Sequence, residues 1–274
     1  MKYSFILVNY NGADLTINCV KSLLKQSFFP LVTYIIIVDN NSNADDLEKL
    51  SLYCSSVNQN NIVLLRLKKN MGYFPAINEG LVFLCSKENL EHHVVVVGNN
   101  DLRFPNEFIE KLDSMHFPND VMVISPDIIT PFNVHQNPHV VDKISLFRKF
   151  MYKLYFSHYI VAFCMDNISR MIKLRRRKYS RKGYELEQYI KMGFGACYLL
   201  MPQFFNKNAR LDDSVFLMGE EALLSHQVYS TGGKMLYTPN LLVYHDDHST
   251  FRKIPSYEVY KITQKSYKYY KKYL

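Results

Sequence analysis

Polar, turn-forming sequences follow four apolar runs in the first hundred residues of the chain. They are NYNG at 9–12, DNNS at 39–42, KNMG at 69–72 and NND at 99–101. Ligands of parallel α/β sheets bind outside the carboxyl ends of the strands, so these sequences predict one polar pocket. A carboxylate beside turn amides suits Mg²⁺ or Mn²⁺ bridging two phosphates. Asp101 is the best-placed carboxylate for that role.

Each of these polar residues also has a purely structural interpretation. Asn-Asn-Asp is typical of a turn between a strand and a helix. Asp39 either accepts hydrogen bonds from a nucleobase or a ribose, or caps the helix that follows. His245 ends the apolar run LLVYH and is either a ligand of metal or phosphate or a hydrogen-bonded surface residue. The spacing alone leaves these alternatives open.

A pair of carboxylates, Glu220 and Glu221, follows the sequence FLMG at a predicted helix start. The helix dipole favours anions at this end, so capping alone would explain the pair. The functional alternative is a general base that takes a proton from an acceptor hydroxyl.

Several enzyme classes are disfavoured by the motifs that the sequence lacks. There is no GxGxxG after a strand, no GxxxxGK[ST] and no GxSxG. A classical dinucleotide enzyme, a P-loop nucleotidase and an α/β-hydrolase are therefore disfavoured.

The apolar runs that precede the polar sequences predict the scaffold. Runs at 4–8, 34–38, 62–67 and 93–98 read as buried strands, with helical spacing between them. This alternation predicts a doubly wound α/β sheet whose strands are mainly parallel. Further strands are predicted at 121–126, 196–201 and 241–245. Residues 143–182 have a helical pattern.

The net charge of +8 is concentrated in two segments of a 274-residue chain. Residues 143–191 hold 13 Lys and Arg against 3 Asp and Glu, and residues 252–274 hold 7 against 1. The rest of the chain is acidic. Two local basic segments indicate docking surfaces rather than a nucleic-acid-binding protein, so no nucleic acid partner is expected.

The five cysteines include no CxxC pair, which fits a reducing compartment. The N-terminal apolar run is too short for a signal peptide, and no run approaches the ~20 residues that span a bilayer. We therefore expect a cytoplasmic protein, or one lying on the inner face of the cell membrane.

Taken in order, these motifs carry a family resemblance. VNYNG with SLLKQ, then IIIVDNNS, KNMGYFPAINEG and VVVGNND resemble the N-terminal half of family 2 glycosyltransferases, in the bacterial rhamnosyltransferase-like, surface-polysaccharide branch. GFGACYLLMP and the stretch from LDDSVFLMGEE to LLVYH resemble the second half. The similarity covers about 3–126 and 193–250.

The resemblance implies a glycosyltransferase A fold, a Rossmann-like α/β sandwich over 1–250. A basic helical insertion at about 130–192 and a basic Tyr/Lys-rich tail at 251–274 complete the expected organisation. It also implies roles for single residues. Glu221 would be the catalytic base with Glu220 beside it, and Asp101 and His245 would hold Mg²⁺ or Mn²⁺. The nucleotide sugar would contact Asn9, Tyr10, Asp39, Asn70, Gly72, Asn78 and Asn100.

Three positions depart from the family pattern. The metal motif begins with Asn99, which leaves one carboxylate there, and Glu221 stands where the family usually has Asp. Leu223 replaces an acidic residue often found two positions after the pair. These changes put metal affinity, base placement and acceptor contacts in question.

The implied reaction is inverting transfer of a sugar from a UDP- or dTDP-linked donor to a saccharide. Polysaccharide transferases of this type often extend a glycan carried on polyprenyl diphosphate. The alternatives are a sugar nucleotidyltransferase and a catalytically inactive membrane scaffold. The basic, aromatic-rich stretch 143–182, with its Arg/Lys run at 175–178, either lies on an anionic membrane surface or packs on the sheet.

Overall fold

The computed structural model describes residues 1–57, 59–173, 180–246 and 256–274, with only the backbone described at 170–173 and 256. The strands are β1 (Lys2–Asn9), β2 (Val32–Asp39), β3 (Ile62–Arg66), β4 (His93–Asn99), β5 (Leu102–Arg103), β6 (Val121–Ile129), β7 (Gln188–Tyr189), β8 (Cys197–Leu200) and β9 (Lys234–His245). The helices are α1 (Ala13–Leu24), α2 (Ala44–Ser56), α3 (Tyr73–Cys85), α4 (Phe108–Ser114), α5 (Leu146–Tyr155), α6 (Tyr159–Lys173), α7 (Pro202–Phe205), α8 (Glu220–Ser230) and α9 (Ser256–Tyr270).

The first four long strands form a parallel unit in the order β3-β2-β1-β4. Asn9 pairs with Asp39, and Val8 pairs with Asn99. The polar residues that end three strands therefore lie at one edge of the sheet, as the apolar runs predicted.

The second half of the sheet corrects the expectation of a mainly parallel arrangement. β8 runs antiparallel to both β4 and β6, β9 is parallel to β6, and the short strands β5 and β7 pair antiparallel with β9. The sheet is mixed because the alternation of strands and crossover helices ends after β4. Antiparallel neighbours need no such crossover.

Helices cover both faces of the sheet. One core cluster joins Phe5 and Leu7 of β1 to α1, α2 and α4, and the other joins Ile6 to α3, α7 and α8. Alternate residues of β1 thus enter opposite cores, which explains its uninterrupted apolar sequence.

The last strand is longer than predicted because β9 begins at Lys234 rather than at 241. Its pairing with β6 shifts register between Pro126 and Asp127, so that Thr238 and Leu242 face consecutive residues of β6. A bulge at 239–241 therefore interrupts the strand where the sequence Thr-Pro-Asn suggests a turn.

A third helical group lies beside α8. The predicted helical stretch at 143–182 contains α5 and α6, separated at 156–158, whereas residues 174–179 lie outside the described part of the chain. Tyr152 of α5 and Tyr270 of α9 join Ala222 and Leu223 of α8 in one cluster. The segment predicted as a basic tail thus contains a packed helix. None of the helices in the described ranges is long and apolar enough to cross a membrane.

Candidate functional site

A buried amide organises the ends of β1, β2 and β4. Asn9 Nδ2 donates to Asp39 Oδ1 at 2.9 Å and to Asp46 Oδ2 at 2.9 Å. Its Oδ1 accepts from Thr16 Oγ1 at 2.8 Å and from Asn100 Nδ2 at 3.1 Å. Asn9 is fully buried, and its side chain positions Asp39 and Asn100, while its own contact with a nucleotide stays a prediction.

Asp39 and Asn100 are both tied into this network. Asp39 is 1% exposed, and its Oδ2 accepts from the Ser42 backbone amide at 3.2 Å. Asn100 Nδ2 also donates to Gly12 O at 3.2 Å. Tyr10 is half-buried. Contact between these residues and a nucleotide stays a prediction.

A second amide, which the sequence patterns did not single out, shapes the next loop. Asn40 Nδ2 donates to Asn70 Oδ1 at 3.0 Å and to Gly72 O at 2.8 Å, while its Oδ1 accepts from Met71 N at 2.8 Å. Gly72 has φ of +96°, and a Cβ there would lie 2.0 Å from Phe216 O. Only glycine allows this approach, which brings the 69–72 turn against the segment leading to α8.

Asn78 uses its amide within the fold. Its Nδ2 donates to Leu211 O at 2.9 Å and to Asp213 Oδ2 at 3.2 Å, and its Oδ1 accepts from Leu211 N at 3.0 Å. The residue therefore fixes the loop that follows α7. The role of Asn78 in the pocket for the nucleotide sugar stays a prediction.

The predicted metal residues lie together. His245 Nε2 is 3.2 Å from Asp101 Oδ1, and both side chains are nearly buried. The pairing of β5 with β9 places Leu102 opposite His245, which brings the ring beside the preceding carboxylate. On the other side of the ring, His245 Nδ1 donates to Gln136 Oε1 at 2.8 Å.

This donor set suits a divalent cation that phosphate oxygens hold in part. His245 Nε2 and the Asp101 carboxylate lie on the side of the ring away from Gln136, and imidazole nitrogen and carboxylate oxygen are both common metal ligands. Across the described ranges, no group of three or more His, Cys, Asp or Glu is arranged around one point. Two protein ligands leave the remaining positions to phosphate and water, as Mg²⁺ commonly requires.

The acidic pair begins α8, directly after Gly219, whose φ is +103°. Glu220 is 6% exposed, and its Oε1 accepts from Met218 N at 3.0 Å. Burial, followed by the charge of Glu221, raises the pKa of Glu220 to about 8. Burial also raises the pKa of Glu221, and the Gly195 amide partly offsets that shift.

Glu221 lies beside the Gly195–Ala196 segment, which contacts the end of β4. A Cβ on Gly195 would lie 2.9 Å from Glu221 Oε1, and the Gly195 carbonyl accepts from Tyr73 Oη at 3.1 Å. The next carbonyl, of Ala196, accepts from Asn99 N at 2.9 Å. One short segment thus joins the half-buried Glu221 to the end of β4, which precedes Asp101.

Three further residues enter the site without having been predicted. Tyr73 follows the KNMG turn, and burial, followed by smaller electrostatic effects of neighbours that include Glu220, raises its pKa well above the usual range. Gln136 orients His245, and Phe194 lies with its ring centroid 6.0 Å from that of His245. Gln136 could have been suspected only from its place in the polar 130–140 loop.

Comparison with protein families decides the classification. Residues 4–232 match the model of glycosyl transferase family 2. The chain belongs to this family. No curated protein matches the chain. The bacterial rhamnosyltransferase-like branch within the family stays a prediction.

Solved structures share the fold of this family 2 chain at low sequence identity. GalNAc-T7, crystallised with UDP, GalNAc and Mn²⁺, has a TM-score of 0.60 and 16% identity over 89% of this chain and 44% of its own. The mannosyltransferase PcManGT from Pyrobaculum calidifontis, in complex with GDP-Man and Mn²⁺, has a TM-score of 0.56 and 12% identity. That match covers 91% of this chain and 58% of the PcManGT chain. S. aureus TarS 1–349 has a TM-score of 0.54 and 15% identity, and the match covers 89% of this chain and 60% of the TarS chain.

The family 2 chain thus spans about half the length of these three chains. The shared structure is an α/β fold found in other glycosyltransferases, which confirms the predicted α/β class, although the sheet is mixed rather than mainly parallel. Donor, metal and acceptor belong to the proposal that follows.

Proposed function

We propose that this chain transfers a sugar from a nucleoside diphosphate sugar to a saccharide hydroxyl, with inversion at the anomeric carbon. Glu221 acts as the general base on the acceptor hydroxyl. Asp101 and His245 hold a divalent cation against the diphosphate of the donor. The residues that end β1, β2 and β4 form the nucleotide side of the pocket.

The observation that carries this proposal is the connection from Glu221 to the end of β4. Gly195 contacts the carboxylate of Glu221, and the adjoining Ala196 carbonyl binds Asn99, which starts the Asn-Asn-Asp sequence. A base on one side and a cation site on the other are what an in-line displacement needs. An acceptor oxygen would enter beside Glu221 while the leaving diphosphate stays near Asp101.

The two glutamates have different environments, which favours Glu221 as the base. Glu220 is nearly buried and accepts a hydrogen bond from the Met218 amide, so it stabilises the start of α8. Glu221 is half-buried beside Gly195. A raised pKa brings a carboxylate closer to neutral pH, where a general base is more effective.

The cation supplies positive charge to the leaving diphosphate when it is bound. Two structures of similar fold contain Mn²⁺ with UDP or GDP-Man, which supports a divalent metal here. The single carboxylate predicts that the cation binds well only together with a nucleotide. Titration of UDP, dTDP and GDP with and without Mn²⁺ would identify the base of the donor.

Product analysis with a panel of sugar nucleotides and saccharide acceptors tests the reaction itself. A new glycosidic bond with release of a nucleoside diphosphate supports the proposal, and the anomeric configuration of the product tests inversion. Release of pyrophosphate from a nucleoside triphosphate and a sugar phosphate would instead indicate a nucleotidyltransferase. No turnover with any donor would favour an inactive scaffold.

The acceptor that we propose is a growing cell-surface polysaccharide on a lipid carrier, in a bacterial rhamnosyltransferase-like branch. The support is the sequence pattern of the second half together with the basic character of 143–191. Comparing a lipid-linked acceptor with the same free saccharide tests this part separately from the reaction.

A further inference from the structure

The exposed side of the α5–α6 helix pair is apolar. Six large side chains there are between 48 and 84% exposed. We call them the apolar patch: Leu146, Phe147, Phe150, Ile160, Phe163 and Ile168. In α5 three of them fall at positions i, i+1 and i+4, which form one stripe of a helix. Several large apolar side chains exposed on two contacting helices are typical of an interaction surface.

The opposite side of this helix pair already packs within the protein. Tyr152 of α5 joins the cluster with Tyr270 and Leu223, while Tyr155 Oη donates to Asp166 Oδ2 of α6 at 3.0 Å. Phe156 stacks on Tyr267 of α9, with ring centroids 4.5 Å apart. The helices are therefore held by aromatic and polar contacts, and their most apolar side faces outwards.

Basic residues outnumber acidic ones in the segment that carries the apolar patch. Residues 143–173 hold six Lys and Arg against one acidic residue, Asp166, whose carboxylate is bonded to Tyr155. Lys143 and Lys153 are exposed beside the patch in sequence. Two copies of this surface facing each other would repel. An anionic surface with an apolar interior satisfies both features.

We propose that the apolar patch inserts into the interfacial region of an anionic lipid membrane, with the neighbouring lysines at the headgroups. The aromatic side chains suit the boundary between headgroups and acyl chains. Each basic residue near such a surface adds attraction that salt weakens. This inference does not rest on the proposed reaction, because it follows from the exposed surface alone.

The patch has a fixed relation to the acidic pair. Tyr270 packs with Tyr152 and stands against Gly219, where a Cβ would lie 2.1 Å from its ring. Gly219 directly precedes Glu220. A membrane bound at α5 and α6 would therefore hold the pocket at a set orientation to the lipid surface, and a lipid-anchored saccharide would be presented to it.

The absence of tryptophan from the sequence gives a direct test on the full-length chain. Phe150→Trp places one fluorophore in the patch, and Leu52→Trp places one at an exposed apolar position of α2 as a matched control. Vesicles of phosphatidylglycerol and phosphatidylethanolamine should shift the emission of the Phe150→Trp protein to the blue and leave the control unchanged. Equal behaviour of the two proteins, or no shift at low salt, would overturn the proposal.

Sedimentation with the same vesicles measures binding. The triple change Phe147→Ser, Phe150→Ser and Ile160→Ser should lower the partition coefficient at least about tenfold, since insertion scales with buried apolar area. The exposed pair Leu52→Ser and Val82→Ser is the control, and thermal melting verifies that each variant folds. Neutral phosphatidylcholine vesicles should bind the protein less. A dimer in solution that the triple change dissociates, without vesicle binding by the unaltered chain, would assign the patch to a second copy and refute the membrane inference.

Discussion

His245 Nε2 lies 3.2 Å from Asp101 Oδ1, and the pairing of Leu102 with His245 between β5 and β9 fixes that contact. Two residues that are far apart in the chain thus form the proposed metal pair. The contact depends on β5, a strand of two residues, and on a ring orientation that Gln136 supports.

Removing the carboxylate of this pair should uncouple nucleotide binding from the metal. We expect Asp101→Ala to abolish turnover and to remove the enhancement of nucleoside diphosphate affinity by Mn²⁺, measured by calorimetry. Asp120→Asn is the control, because Asp120 pairs with Lys234 at the other end of β9. Full activity of the unaltered protein in excess chelator would contradict the metal role.

The acidic pair predicts a difference between two conservative changes. Glu221→Gln should lower kcat by at least ~10²-fold with little change in nucleotide affinity, because general base catalysis acts in the transition state. Since the base must be deprotonated, the activity of the unaltered enzyme should fall as pH drops through the raised pKa of Glu221. A larger loss in Glu220→Gln would assign the base to Glu220 instead.

The burial of Glu220 predicts a pH dependence of stability. Its pKa is about 8 in the folded protein and ~4.3 in an unfolded chain. Folding therefore favours the protonated form of Glu220. The stability that this protonation gives the folded protein is present at low pH and is lost as pH rises towards about 8. Glu220→Gln should be the more stable protein at pH ~9, by at least ~1 kcal/mol or about 2–4 °C in Tm.

Thermal melting of both proteins at pH ~5 and ~9 measures this difference, because most of the interval between the two pKa values lies within that window. Glu110→Gln, at an exposed position of α4, is the control and should follow the unaltered protein. An identical pH dependence in Glu220→Gln and the unaltered protein would show that Glu220 titrates as an ordinary surface carboxyl.

Asn40 predicts an effect on donor binding through the loop that it holds. Asn40→Ala removes three hydrogen bonds to residues 70–72, and each buried group left unsatisfied costs ~1–3 kcal/mol. We expect a lower Tm. We also expect the donor KM to rise about tenfold, because donor binding must then supply the free energy that orders the loop. Asn41→Gly should be close to neutral, since Asn41 has φ of +66°. An unchanged donor KM in Asn40→Ala would exclude this loop from the donor site.

The sequence could predict the residues that end the strands, but not how their side chains are used. Apolar runs located β1, β2 and β4 because buried parallel strands are apolar throughout. Asn9 and Asn78 stand in recognisable motifs, yet their side-chain amides form hydrogen bonds with other residues of the protein. Such partners depend on tertiary geometry, which spacing does not contain.

The missed elements are those with no local pattern. β5 and β7 have two residues each, too few to show a period. The bulge at 239–241 interrupts β9 at Thr-Pro-Asn, a sequence that resembles a turn and hides the first half of the strand. The Asp101–His245 contact depends on β5 and could not be predicted without it. The antiparallel direction of β8, which makes the sheet mixed, is not contained in the apolar pattern of that strand.

The topology also sets when the site can form. β1, β2 and β3 pair with strands that lie within the first hundred residues, whereas β4 also pairs with β8, and β9 supplies a partner of β5, β6 and β7. Contacts of large sequence separation form slowly, because a long loop must close first. During synthesis on the ribosome the nucleotide side of the pocket can therefore be shaped early. The Asp101–His245 pair has to wait for the emergence of residue 245, so the proposed cation site cannot form on a shorter nascent chain.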